Sequence, residues 1–239
     1  MNELLQKNLQ RLKENPYPGR GIIQGMTPDE QHMVQVYWIM GRSENSRNRV
    51  FVEENGFVKT KLWDESKVSD PSLIIYYPAR HIQKAHIITN GDQTDTIFNA
   101  VREGKSFEAA LDTRTFEPDA PNFTPRISGI IDLADQQYAY RLSILKSFHN
   151  DSEYTQRHNF LYERPIPGAG HCIHTYAGDG NPLPSFAGEP YVLPLLNDPA
   201  ETADLYWRTL NTENKVSLLV KFIDHKSGQA KLVIVNKHR

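Results

Sequence analysis

Short runs of strand-forming residues, interrupted at close intervals by turn chemistry, dominate the hydrophobic pattern of this chain. Residues 33–40 form an apolar run rich in β-branched and aromatic side chains and short for a helix, which predicts a strand. Residues 22–25 predict a shorter strand before it, with 26–31 as a hairpin connection. Two alternating segments, 50–53 and 57–62, flank Glu54-Asn55-Gly56, and Asn-Gly between such segments is the strongest short hairpin signal. Further strands are predicted over 72–77, 85–89, 127–133, 138–145, 159–163, 171–176, 215–223 and 229–235.

Helices are few. Leu5, Leu9 and Leu12 stand at i, i+4 and i+7 and predict an amphipathic helix over residues 1–14 that stops before Pro16. Asp92 is placed to cap a helix over 93–102, and Ser106 opens a shorter one to Leu111. Asp198-Pro199-Ala200-Glu201 reads as a capping box with proline at the first helical position, for a helix ending near Leu210. The order strands, helix, strands, helix, without a repeat or a splitting linker, predicts an α+β domain over residues 1–239 built on antiparallel sheets, with 1–15 as an N-terminal helical extension.

Composition narrows the function classes. A net charge of −2 lacks the basic field that nucleic-acid binding requires, so no nucleic-acid partner is expected. No apolar stretch approaches the roughly 20 residues that span a bilayer, and residues 1–14 carry charges and no signal-peptide core, so no membrane partner and a cytoplasmic location are expected. One cysteine, Cys172, excludes an internal disulfide and a thiolate zinc cage. His171 and His174 lie three apart on a predicted strand and point to opposite faces, which argues against a shared metal.

The candidate chemistry sits in the turns. Gly41-Arg42-Ser43-Glu44-Asn45-Ser46-Arg47-Asn48-Arg49 brings three guanidiniums into one loop after the 33–40 strand. Arginine presents a planar fork suited to phosphate or carboxylate, and clustered arginines repel one another unless an anion lies between them. A solvated loop with Glu44 pairing one arginine is the plainer alternative. Tyr17-Pro18-Gly19-Arg20-Gly21, Arg80 after Pro78, Asn90-Gly91-Asp92, Glu117 in the irregular 113–125 loop, and Thr124-Pro125-Arg126 at a strand start add polar groups at strand ends. Acids at the start of the 93–102 helix weaken the case for phosphate there, and Asp92 can instead order neighbouring arginines. No dinucleotide fingerprint, Walker loop, nucleophile elbow or metal-spaced histidine set is present. What remains is chemistry by positioned charge and proton transfer.

Taken in order, the Tyr17–Gly21 segment, the arginine loop, Asn90-Gly91-Asp92-Gln93-Thr94-Asp95-Thr96, Phe116-Glu117 and Asn122-Phe123-Thr124-Pro125-Arg126-Ile127 resemble the archaeal-type IMP cyclohydrolase family over roughly residues 16–200. The resemblance implies a fold like that of the N-terminal nucleophile hydrolases, an αββα stack of two antiparallel sheets between helix layers. It implies dehydrative closure of 5-formamidoimidazole-4-carboxamide ribonucleotide to IMP, with a purine nucleotide as small-molecule partner and neither cofactor nor metal. It places Arg49, Tyr76 and Glu117 at the catalytic centre, and Tyr17, Arg20, Arg42, Ser43, Arg47, Asn90, Gly91, Asp92, Thr124 and Arg126 in substrate binding. The arginine loop runs about two residues longer than the family pattern, so Arg47 and Arg49 compete for one role. Tyr76 and Tyr77 compete likewise, since alternation lets only one face the site. The residues preceding Tyr17 leave no terminal amine to act as base. Three other readings stay open: an amide hydrolase on a related nucleotide, a catalytically silent nucleotide binder, and an arginine–acid network in a homo-oligomer interface.

Overall fold

The computed structural model describes residues 1–67 and 75–238. In chain order the helices are α1 (Asn2–Glu14), α2 (Glu44–Arg47), α3 (Gln93–Arg102), α4 (Phe107–Leu111) and α5 (Pro199–Thr209). The strands are β1 (Gly21–Met26), β2 (His32–Met40), β3 (Arg49–Glu54), β4 (Phe57–Leu62), β5 (Ala79–Ile82), β6 (Ala85–Thr89), β7 (Arg126–Asp132), β8 (Tyr140–Phe148), β9 (Asp151–Tyr162), β10 (Ala169–His174), β11 (Tyr191–Pro194), β12 (Lys215–Asp224) and β13 (Ala230–Asn236). They build two antiparallel sheets, ordered β11-β10-β1-β2-β12-β13 and β3-β4-β5-β6-β7-β8-β9. The chain is α+β, as its pattern predicted.

The two sheets pack on each other through β1 against β7 and β8 and through β12 against β3. Their facing side chains make the main core: Ile22, Val36, Trp38, Phe51, Ile88, Ile127, Leu142 and Val220 are buried in one cluster. α1 and α5 lie on the first sheet and α3 on the second, where α3 and α4 cover a separate cluster of Ile87, Ile97, Phe107, Leu111, Ile130 and Leu145. Burying both faces of a strand erases its alternation, so β2 reads as one continuous apolar run. Leu5 and Leu12 of α1 are buried and Leu9 packs partly, which accounts for the leucine spacing. Asn55 and Gly56 both take positive φ, 54° and 77°, the geometry that the tight turn between β3 and β4 demands.

Several expectations require correction. The arginine loop contains the single helical turn α2, closed by a reciprocal cap between Ser43 and Ser46. Of the strand expected over 72–77, residues 72–74 lie outside the described residues. Residues 75–77 are irregular, although the Tyr76 carbonyl accepts from the Thr60 amide, and the strand forms at β5 instead. β9 begins at Asp151, well before the expected 159, and β11 was not anticipated within its proline-rich surroundings. Asp92 stands at the N-cap of α3 without making a side-chain cap bond. No helix among the described residues is long and apolar enough to cross a membrane.

Candidate active site

Antiparallel pairing brings the start of β1 beside the ends of β10 and β2, and the start of β7 beside the end of β6. Arg20, Arg49, Tyr76, Asn90 and Arg126 occupy such ends, and the 113–125 loop adds Glu117 and Thr124. Together they make a polar cluster at one end of the two packed sheets.

Arg49 opens β3 and is 1% exposed. Its Nε donates to the Ser46 carbonyl at 3.0 Å, while Nη1 and Nη2 are buried without a hydrogen-bond partner among the described residues. Burial, and then the positive field of Arg20, lowers its pKa. For Arg20 burial also acts downward, but the fields of Glu117 and of Tyr176, Tyr17 and Tyr76 outweigh it and the net shift is upward. Arg20 Nε is likewise buried and unpartnered among the described residues. Buried donors of this kind cost free energy unless something accepts from them, and a guanidinium asks for an anion.

Glu117 is 3% exposed. Burial pushes its pKa from 4.5 up to about 7, against the downward pull of Arg20, Arg126 and Arg49 and with the support of Asp119. Its backbone amide donates to the Thr124 carbonyl at 2.9 Å, and Asn90 Nδ2 stands 3.5 Å from Oε1. A carboxyl poised near neutrality can both take and give a proton. Tyr76 is buried and its Oη lies 2.7 Å from Tyr37 Oη. Burial raises the pKa of Tyr76, while Arg49, Arg20 and the Tyr37 hydrogen bond pull it down. Tyr77 faces elsewhere, edge-on to Phe57 and under Arg80, while Tyr76 turns toward Tyr37.

The β6–α3 corner is tied together by side chains. Asn90 accepts from the Ile127 amide at 2.8 Å and donates to the Pro125 carbonyl at 2.9 Å. Arg126 Nη1 donates to Asp92 Oδ1 at 2.6 Å and to Gln93 Oε1 at 2.8 Å, and Asp92 also pairs with Arg114. Asp92 thus orders arginines instead of capping α3, and Arg126 pairs with Asp92 instead of a carboxylate of its own loop. A Cβ at Gly91 would stand 2.7 Å from Arg126 Nη1 and from Gln93 Oε1, so a side chain there would displace the Arg126–Gln93 contact. Thr124 receives support from Asp119 and meets Tyr176 Oη at 2.5 Å, while Tyr176 stacks on Tyr17 with ring centroids 5.8 Å apart.

Residues 17–227 match the family described as IMP cyclohydrolase-like protein. The chain belongs to that family. A curated relative, the IMP cyclohydrolase of Methanopyrus kandleri, is 33% identical over 120 residues, 48% of this chain. The match spans 59% of that protein, less than two thirds of its length.

Not every expected residue of this IMP cyclohydrolase-like chain joins the cluster. Arg47 is turned away, with Nε on the Gly41 carbonyl at 2.9 Å and Nη2 on Asn214 at 3.1 Å, so Arg49 is the arginine of the loop that enters. Ser43 is occupied in the α2 cap. Arg42 stands at the rim, over the Tyr17 ring at 5.1 Å and paired with Asp179. Arg80 lies outside the cluster, against Phe98 and Asp95. Conversely, sequence reasoning passed over Tyr37, Gln93, Asp119 and Tyr176. Each of the two tyrosines could have been flagged by a phenol within an apolar strand, because a buried hydroxyl needs a partner.

Proposed function

We propose that the chain is an IMP cyclohydrolase, closing the purine ring of 5-formamidoimidazole-4-carboxamide ribonucleotide with loss of water. The observation that carries this reading is a buried guanidinium, Arg49, with two unpartnered nitrogens, set in one electrostatic cluster with Tyr76 and with Glu117 poised near pH 7. The carboxamide nitrogen attacks the formyl carbon of the same molecule. A C–N bond forms, the formyl oxygen becomes the hydroxyl of a tetrahedral intermediate, and the C–O bond then breaks. One proton from the carboxamide nitrogen and one from the formamido nitrogen leave with that oxygen as water, and the second loss leaves the ring carbon–nitrogen double bond.

This reaction asks for orientation, proton transfer and charge stabilisation. Glu117 takes the proton from the attacking nitrogen and returns it to the departing oxygen. Tyr76, held by Tyr37, contacts the formyl oxygen, and Arg49 receives the negative charge that develops there. Arg20 and Arg126, with Tyr17, Asn90, Gly91 and Thr124, hold the nucleotide; Asp92 orients Arg126, and Arg42 closes the rim. Arg20 and Arg49 keep buried nitrogens without a hydrogen-bond partner among the described residues, which suits a phosphorylated substrate.

Two facing antiparallel sheets with helices on their outer sides support the N-terminal nucleophile hydrolase-like reading of the fold, as one domain. In this reading the base is an internal carboxylate. The cytoplasm, where purine nucleotides are made, is the expected location.

The test is ring closure by chelator-treated protein, followed by absorbance and chromatography of IMP. Turnover in EDTA supports the reading. Tight IMP binding without turnover would replace it with a silent binder, and substrate consumption without IMP formation would point to a different amide chemistry.

A further inference from the structure

β9 closes one edge of the second sheet, and no strand pairs with its outer side among the described residues. It is 12 residues long, roughly twice an average strand, and most of its side chains are exposed. It carries no proline and no lysine, two of the devices that protect exposed edges, and its one irregularity is the register shift opposite Ser147 and Phe148. Exposed large hydrophobics gather on it and beside it: Tyr154 is 63% exposed, Phe148 47% and Leu161 42%.

We propose that β9 is the self-association edge of this protein, pairing antiparallel with β9 of a second copy about a twofold axis through Thr155. The sequence of the strand is self-complementary. Its acids, Asp151 and Glu153, lie at the start, and Arg157 and His158 lie beyond the middle. With Thr155 opposite Thr155, each Glu153 is set against Arg157 of the second copy and each Tyr154 against Gln156; Ser152, Glu153 and Tyr154 lie in an irregularity that leaves them without partners on β8. Arg157 is already held in place, donating to the Leu111 carbonyl at 3.1 Å and the Arg114 carbonyl at 2.7 Å, so the cation is ordered before the second copy arrives. On the other face, Gln156 borders a groove of about 340 Å³ that Lys146, Phe148 and Pro184 also line. Tyr154 of the second copy lies over that groove in this register. Sliding the register until Arg157 faces itself sets like charges directly opposite, which disfavours it. The assembly joins two seven-stranded sheets into one and leaves the candidate active site of each copy at its own sheet end.

Light scattering after size-exclusion chromatography of the full chain tests the proposal. The unmodified chain should run as a dimer, and Tyr154→Asp and Thr155→Lys should each run as a monomer with an unchanged circular dichroism spectrum. Leu4→Lys, which removes an exposed hydrophobic on α1, should stay dimeric. Thr155→Cys should form a covalent dimer under mild oxidation, because the remaining cysteine, Cys172, is buried. A monomeric unmodified chain would overturn the proposal, as would dimers that survive both β9 substitutions or a Thr155→Cys chain that fails to cross-link. None of these readouts depends on which reaction the site performs.

Discussion

Replacing Glu117 by glutamine should make the protein more stable at pH 8 and far less active. In the folded chain burial holds the Glu117 carboxyl at about 7, against 4.5 when unfolded. The folded state therefore keeps its proton over a pH range in which the unfolded state has released it. The resulting contribution is fully present below pH 4.5, fades as pH rises toward 7 and is constant above that. A shift of that size, at 1.36 kcal/mol per unit, costs the native protein about 3 kcal/mol at pH 8 and about 1 kcal/mol at pH 5. Glutamine keeps the shape and the neutral state at every pH. Urea unfolding of both proteins at pH 5 and pH 8 measures the difference, and the gain from Glu117→Gln should be larger at pH 8 by about 2 kcal/mol. An equal difference at both pH values would mean that Glu117 ionises normally when buried, and the proton-transfer role would lose its physical basis. Turnover in the same variant should fall by about 10²–10⁴-fold, the span for a lost general acid–base group.

Arg49→Met should raise stability by about 1–4 kcal/mol in the free protein, because a buried charge with two unpartnered nitrogens is exchanged for an apolar side chain. The same variant should lose most of the thermal shift that IMP gives the unmodified chain, and an undiminished shift would remove Arg49 from the site. Tyr37→Phe deletes only the hydroxyl 2.7 Å from Tyr76 Oη. It should lower kcat by about tenfold, the scale of one hydrogen bond of ~1.4 kcal/mol, with KM little changed; a change confined to KM would make Tyr37 a binding group instead.

Where a residue's job is local, the sequence announces it. Asn55-Gly56 names its own turn, the leucines of α1 name the face they bury, and Asp198 caps α5 through the amides of Ala200 and Glu201. Which of Arg47 and Arg49, and which of Tyr76 and Tyr77, turns toward the cluster depends on packing between distant segments, which spacing along the chain does not encode. β9 was read too short because both its faces are largely wet, so Asp151 to His158 carry no apolar alternation for a pattern to detect. Asp92 looked like a helix cap because its neighbours in sequence are a helix; its partners, Arg114 and Arg126, lie 22 and 34 residues away. Tyr37 and Tyr176 fall in predicted strands and were passed over there, although a phenol in an apolar run is a reason to look for a buried partner. The shifted pKa of Glu117 is likewise a property of the assembled cluster, since burial and three arginines from separate segments determine it.

The pH dependence of kcat/KM for ring closure tests the central claim most directly, because it reports ionisations of the free enzyme. With Glu117 acting first as a base, kcat/KM should rise through pH 7 in the unmodified protein, and that rise should disappear from the residual activity of Glu117→Gln. A profile that is flat through pH 7, or the same rise in both proteins, would contradict the account.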